Sequence, residues 1–99
     1  PAEAEQVLSG HPDVRDCAGI GVPDDDLGER LLMLVELDPA RRDVPPDPSE
    51  LIAFCRERLA HYKCPKAVEY VDTVDRSVMG KLDKRRLRAP YWPTARTIG

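Results

Sequence analysis

The sequence predicts an α+β fold, a small domain in which a three-stranded sheet is flanked by helices. Two observations predict it. Helix-like and strand-like segments follow each other in the order helix, strand, strand, helix, strand, helix, with glycine or proline between them. The chain has 99 residues and a hydrophobic fraction of 41%, which suits one domain with a modest core.

The first half of the chain predicts one helix and two strands. One helical face of residues 2–9 carries Ala4, Val7 and Leu8. In the strand predicted at 14–22, the apolar side chains that alternate are Val14, Ala18, Ile20 and Val22. Asp16 interrupts this alternation, so we expect weak pairing there. After a turn at 23–28, the apolar run 31–35 fits a central strand covered on both faces.

A proline-rich loop and a capped helix come next. Residues 38–48 contain four prolines, which excludes a regular element. Asp47 can cap the following helix, and Glu50 completes a capping-box-like pair. The buried stripe of this helix is predicted to be Leu51, Ile52, Cys55 and Leu59. Pro65 is expected to end it.

The last elements are a strand and a short helix. Residues 67–72 predict the third strand, with Val68 and Tyr70 on one face. A turn at 77–80 separates it from a helix that Asp83 opens and Arg88 ends. We therefore expect the domain to comprise residues 1–88. The tail at 89–99 has no periodicity, and we expect it to be disordered.

Charge and cysteine usage narrow the function classes. The net charge of −3 gives no basic field for nucleic acid, and no apolar run is long enough to span a membrane. Cys17, Cys55 and Cys64 have neither disulfide-framework nor zinc spacing. His11 and His61 also lack ligand spacing, so we predict no metal site. Because there is no disulfide framework and Cys17 and Cys55 lie among apolar neighbours, a reducing cytoplasm is favoured.

The informative segment is a turn in which Gly80 precedes Lys81. The glycine frees the backbone, and the lysine ammonium is a compact charge for a phosphate or a carboxylate. A nucleotide P-loop is excluded, because Asp75 and Leu82 stand where that motif needs glycine and Ser or Thr. Nucleic-acid binding by the basic residues of 81–88 is disfavoured, because no aromatic residue is interleaved among them. On these residues alone, a glycine turn before a solvated basic helix end is the favoured interpretation.

Three segments change that interpretation through their order and spacing: 1–5 (PAEAE), 59–65 (LAHYKCP) and 76–88 (RSVMGKLDKRRLR). Together they resemble the C-terminal domain of the adenylate-forming superfamily, which includes acyl-CoA synthetases, peptide-synthetase adenylation domains and luciferases. The resemblance covers nearly the whole chain. Asp75 departs from it, since proline is usual there, and we expect reduced rather than lost activity.

The resemblance implies a mobile lid on a large N-terminal adenylation domain. That enzyme joins a carboxylic acid to ATP as acyl-AMP and transfers the acyl group to CoA, with Mg²⁺ on the phosphates. Lys81 is then the catalytic residue, because its charge offsets the repulsion between two anions. Gly80, Arg56 and Lys63 are the expected cofactor-binding residues. For Arg56 and Lys63, ordinary charges on an exposed helix face remain the alternative.

Two further functions stay open beside the acyl-CoA synthetase. One is an acyl-AMP ligase that passes the acyl group to a carrier protein, and the other is a non-catalytic interaction module. Leu87-Arg88 followed by Tyr91-Trp92 resembles the end of fatty- or aromatic-acyl-CoA ligases. The fragment alone is expected to be inactive, because the ATP and acyl pockets belong to the large domain.

Overall fold

The structure, a computed structural model, describes residues 2–26, 28–76 and 80–92. Within these residues the α-helices and strands are α1 (Ala2–Ser9), β1 (Val14–Asp24), β2 (Gly28–Leu37), α2 (Pro48–Arg56), β3 (Ala67–Val71) and α3 (Lys84–Arg88). Single 3₁₀ turns occupy Pro39–Arg41, His61–Lys63 and Ala89–Tyr91. The predicted α+β class and element order are confirmed.

The three strands form one mixed sheet in the order β1-β2-β3. β1 and β2 are antiparallel neighbours, whereas β2 and β3 run parallel, and α2 lies in the connection between them. Parallel strands need such a crossover connection. β2 is therefore the central strand, and its residues 32–37 are all buried, as the apolar run predicted.

Each face of the sheet has its own hydrophobic cluster. The cluster between the sheet and helices α1 and α2 includes Leu8, Cys17, Met33, Val35, Leu51 and Cys55. The opposite cluster consists of Ile20, Val22, Leu32 and Leu34, with Leu87 and Tyr91 packed against it. The central strand thus alternates between two apolar environments, which is why its sequence reads as an unbroken apolar run.

The alternation predicted for β1 is wrong at its start. The register of the β1–β2 pair shifts between Val14 and Asp16, the place where the sequence predicted weak pairing. A bulge of this kind moves the following side chains to the other face of the strand. Val14 consequently packs with the α1 and α2 side of the sheet, whereas Ile20 and Val22 lie on the opposite side.

Helix α2 begins as predicted and ends earlier. The Asp47 side chain accepts the backbone N–H of Ser49 at 2.9 Å, and Glu50 accepts the N–H of Asp47 at 2.9 Å. The helix ends at Arg56 rather than near Pro65. The backbone N–H of Leu59 closes back onto the carbonyl of Cys55 at 2.8 Å, and the 3₁₀ turn follows.

The chain returns to the sheet after α3. Trp92 donates its indole N–H to the Gly21 carbonyl at 2.8 Å, and the Tyr91 hydroxyl donates to Glu69 at 2.6 Å. Residues 93–99 of the predicted tail and 77–79 of the predicted turn lie outside the described residues. A domain boundary at residue 88 stays a prediction.

Candidate active site

Gly80 and Lys81 lie on an exposed loop whose two ends are paired. Arg76 and Leu82 form an isolated antiparallel bridge, so the chain leaves and re-enters at the same place. Gly80 has φ +79°, and apart from its two chain neighbours no described atom lies within 4 Å of the position that a Cβ would take. This left-handed conformation suits glycine and reverses the chain direction just before Lys81. Lys81 itself is exposed.

Arg76 binds both the sheet and the loop. Its Nε and Nη2 donate to the two carboxylate oxygens of Asp16 on β1, at 2.7 and 2.6 Å. Its Nη1 donates to the Gly80 carbonyl at 3.1 Å. The hydrogen bond from Arg76 is the main reason why the pKa of Asp16 lies below its usual range.

A second set of contacts fixes the start of α3 below the loop. Lys84 Nζ donates to the Gly19 carbonyl at 2.6 Å and pairs with the carboxylate of Glu5 on α1. The same carboxylate accepts the Gly19 backbone N–H at 2.6 Å. The Asp83 side chain accepts the N–H of Arg86 at 3.1 Å and caps α3, as predicted. The Arg76 flank of the loop is therefore attached to β1, and the Lys84 flank is attached to both α1 and β1.

Asp75, which replaces the proline usual in the resembling family, has a partner. Its carboxylate lies 3.2 Å from Nη2 of Arg86, with both side chains more than half exposed. The charge of Asp75 is thus partly offset by a neighbour on α3. Water screens such an exposed pair, so its contribution to stability is small.

The other predicted binding residues lie on α2 and the 3₁₀ turn after it. Arg56 is exposed at the end of α2. Lys63 Nζ lies 2.9 Å from a carboxylate oxygen of Glu3, and this hydrogen bond raises the pKa of Lys63. Lys63 also lines an open groove of about 500 Å³ with Arg30 and Tyr62. Of the predicted site residues, Lys63 lines this groove, whereas Arg56, Gly80 and Lys81 do not.

The residues that the sequence did not single out are Arg76 and Lys84 with their acidic partners. Asp16 and Arg76 are 60 positions apart, and Glu5 and Lys84 are 79 apart. No local spacing joins such residues. Arg76 and Lys84 do belong to the segment that resembles the last core motif, and that was the one available signal.

The described part of the chain offers no ready metal ligand set. No group of three His, Cys, Asp or Glu side chains among residues 2–26, 28–76 and 80–92 could hold an ion. His11 instead accepts the Asp13 backbone N–H at 3.0 Å, and its ring meets Phe54 edge-on at 4.7 Å. None of the helices described has the length and apolar character needed to cross a bilayer.

Comparison with known proteins gives consistent matches. The model of the AMP-binding enzyme C-terminal domain matches residues 3–81. A 2-succinylbenzoate–CoA ligase from Geobacillus kaustophilus is 42% identical over 98 residues, which cover 99% of this chain and 19% of that protein. A fatty acid–acyl-carrier-protein ligase from Streptomyces coeruleorubidus is 38% identical over 92 residues, which cover 93% of this chain and 17% of that protein.

A solved structure agrees with these sequence matches. A fatty acyl CoA synthetase from Mycobacterium tuberculosis superposes with a TM-score of 0.81 at 36% identity. The match covers 92% of this chain and 17% of that one. The chain therefore spans less than a fifth of the length of these relatives.

Proposed function

The chain belongs to the family of AMP-binding enzyme C-terminal domains, and from this we propose that it is the lid domain of an ATP-dependent acyl-CoA ligase. The observation that supports the proposal most is the family match, which extends to the lysine on the exposed loop. A lysine that reaches its site through domain closure needs no deep pocket of its own.

Two steps make up the proposed reaction. A carboxylate oxygen of the acid attacks the α-phosphorus of ATP, and pyrophosphate leaves with the electron pair of the broken P–O bond. The sulfur of the CoA thiolate then attacks the acyl carbon, and AMP leaves. Lys81 acts in the first step, because a lysine ammonium is charged at neutral pH and offsets the repulsion between carboxylate and phosphate.

The partner of this chain is, in our proposal, a large N-terminal domain that holds most of the ATP and the acid. The Gly80 backbone lets Lys81 approach the ATP phosphates closely, and Arg56 would meet a phosphate of CoA, with Lys63 near it. In this proposal Mg²⁺ is bound to the phosphates of ATP, which the large domain holds. Three free, buried cysteines suit a cytoplasmic enzyme.

A carrier-protein thiol is the second candidate acceptor. One relative is a fatty acid–acyl-carrier-protein ligase, and the chemistry of the two steps is the same for either thiol. Supplying the complete ligase with purified acyl-AMP and either CoA or a phosphopantetheinylated carrier protein distinguishes them. Formation of acyl-CoA supports our first choice, whereas acylation of the carrier protein alone supports the second.

Replacement of Lys81 by alanine in the complete ligase tests the catalytic assignment. We expect pyrophosphate release with ATP and acid to fall about 10²- to 10³-fold, the usual loss when one charge-stabilising donor is removed. Lys66→Ala is the matched control, since Lys66 is an exposed lysine just before β3. Undiminished adenylation in Lys81→Ala would refute the assignment.

The isolated domain offers a second test. We expect the 99-residue chain to release no pyrophosphate by itself and to restore adenylation when it is added to the large domain. Restoration that disappears with Lys81→Ala supports the enzyme. Binding to the large domain without restoration would favour the interaction module instead.

A further inference from the structure

Among the described contacts of the loop, those of Arg76 connect it to the sheet most directly. We infer that Arg76 is a positioning residue that presents Lys81 for adenylation, through its simultaneous hold on Asp16 and on the Gly80 carbonyl. The inference rests on the proposed function, since it assumes that Lys81 acts on the acid and ATP.

The geometry around Arg76 requires a guanidinium group. Two of its nitrogens fit the two oxygens of one carboxylate, and the third donates in another direction to the residue before Lys81. A fixed planar fork can do this, whereas a lysine ammonium at the end of a flexible stem is a point charge. The peptide that leads into Lys81 is thereby held relative to β1.

The carboxylate of Asp16 is held by a backbone contact in addition to its bonds with Arg76. It lies at the bulge in β1, and its Oδ1 accepts the backbone N–H of Cys17 at 2.8 Å. The side chains of Asp16 and Arg76 are 26% and 35% exposed, so the pair is less hydrated than an ordinary surface ion pair. A bulge that re-aims one carboxylate toward a functional loop is a known use of this irregularity.

Arg76 supports a loop whose described backbone includes one isolated bridge and one glycine. The bridge between Arg76 and Leu82 is isolated, and Gly80 is the most flexible residue type in a chain. Catalysis by an oriented charge depends on its position, and a displacement of about 1 Å can cost 10²-fold in rate. Removal of the Arg76 side chain should therefore act on the rate of adenylation more than on the affinity for ATP.

The experiment measures both half-reactions in the complete ligase. The variants are Arg76→Ala, Arg76→Lys, Asp16→Ala and the Arg76→Ala/Asp16→Ala double variant. Arg86→Ala is the matched control, because it also removes an arginine that pairs with an aspartate beside the loop, but Arg86 is not hydrogen-bonded to Gly80 among the described contacts. Thermal unfolding of each variant shows whether the fold is retained.

We expect Arg76→Ala and Asp16→Ala to lower kcat for acyl-AMP formation by about 10- to 100-fold, in line with a small displacement of a catalytic charge. KM for ATP should change less than about twofold, and thioester formation from supplied acyl-AMP should stay at its original rate. Arg76→Lys should recover only part of the loss. The double variant should be no slower than the slower single variant, because one interaction is removed twice.

Three outcomes would overturn the inference. They are an unchanged kcat for Arg76→Ala, an equal loss in both half-reactions, and an equal loss in Arg86→Ala. A purely structural role would slow both steps together with a lower unfolding temperature. Lys81→Ala measured in the same enzyme separates the two proposals: if it abolishes adenylation while Arg76→Ala does not slow it, only the positioning role fails.

Discussion

Replacement of Gly80 by alanine should slow adenylation without a large loss of stability. Gly80 has φ +79°, and the added Cβ would meet no atom within 4 Å. The cost is therefore backbone strain alone, about 1–2 kcal/mol for an L-residue in the left-handed region. The exposed loop can relieve that strain by adopting other conformations. A strain of about 1–2 kcal/mol lowers the ratio of the strained conformation to these others by about 5- to 30-fold. We expect adenylation to fall by that factor.

Gly28 provides a matched control within the same chain. Its φ is +78°, and a Cβ there would likewise meet nothing within 4 Å. Gly28 begins β2 and pairs with Asp24, so the strain cannot be relieved without opening the end of the β1–β2 hairpin. Gly28→Ala should therefore lower the free energy of unfolding by about 1–2 kcal/mol and leave the adenylation rate within about twofold.

The assay combines two measurements on each variant. Urea unfolding of the 99-residue chain gives the change in stability, and pyrophosphate release by the complete ligase gives the rate. We expect the two effects to separate: Gly28→Ala lowers the free energy of unfolding, and Gly80→Ala lowers the rate of adenylation. Equal rates in the two variants would show that the left-handed turn before Lys81 has no part in presenting it.

The Glu36 carboxylate accepts a buried hydrogen bond from the Val74 backbone N–H at 3.0 Å and also pairs with the exposed side chains of Arg15 and Arg42. We expect the buried hydrogen bond to contribute more to the free energy of unfolding than the two ion pairs. Glu36→Ala should cost about 2–4 kcal/mol in urea unfolding, and Glu36→Gln, which keeps the acceptor, about 1 kcal/mol; equal losses would contradict this. Burial raises the pKa of Cys55 to about 11, so its thiol should resist iodoacetamide at pH 8 until the chain unfolds. The pKa of Cys55 is higher in the folded chain than in the unfolded one. The contribution of this thiol to the free energy of unfolding is therefore complete below the ordinary thiol pKa and is lost as the pH rises toward about 11. Mass spectrometry showing native Cys55 labelled at pH 8 would refute that protection.

The elements of this fold were predictable where local chemistry decides them. Asp47 and Glu50 form the capping box that their spacing indicates, and Asp83 caps α3. The apolar run 31–35 in β2 identified the central strand, because both faces of the sheet are covered there. In these cases the signal lies within a few residues, where sequence patterns are informative.

The bulge and the contacts of the loop were not predictable in the same way. A bulge between Val14 and Asp16 reverses the faces of β1, yet the sequence showed only a polar residue in an apolar alternation. The length of α2 was overestimated, because the apolar stripe continues to Leu59, which packs against the core although the helix ends at Arg56. The Asp16–Arg76 pair joins residues that become neighbours only after the sheet forms.

The distribution of these contacts bears on the proposed movement of the domain over its site. Arg76 binds Asp16 on β1, and Lys84 binds Glu5 on α1 and Gly19 on β1, so the described supports of the loop all come from within the domain. A rotation of the whole domain about a connection before α1 would break none of them. In such a rotation the ion pairs of Arg76 and Lys84 would keep the described flanks of the loop attached to the sheet and to α1. Rigid elements that carry a catalytic group in this way combine precise placement with large motion.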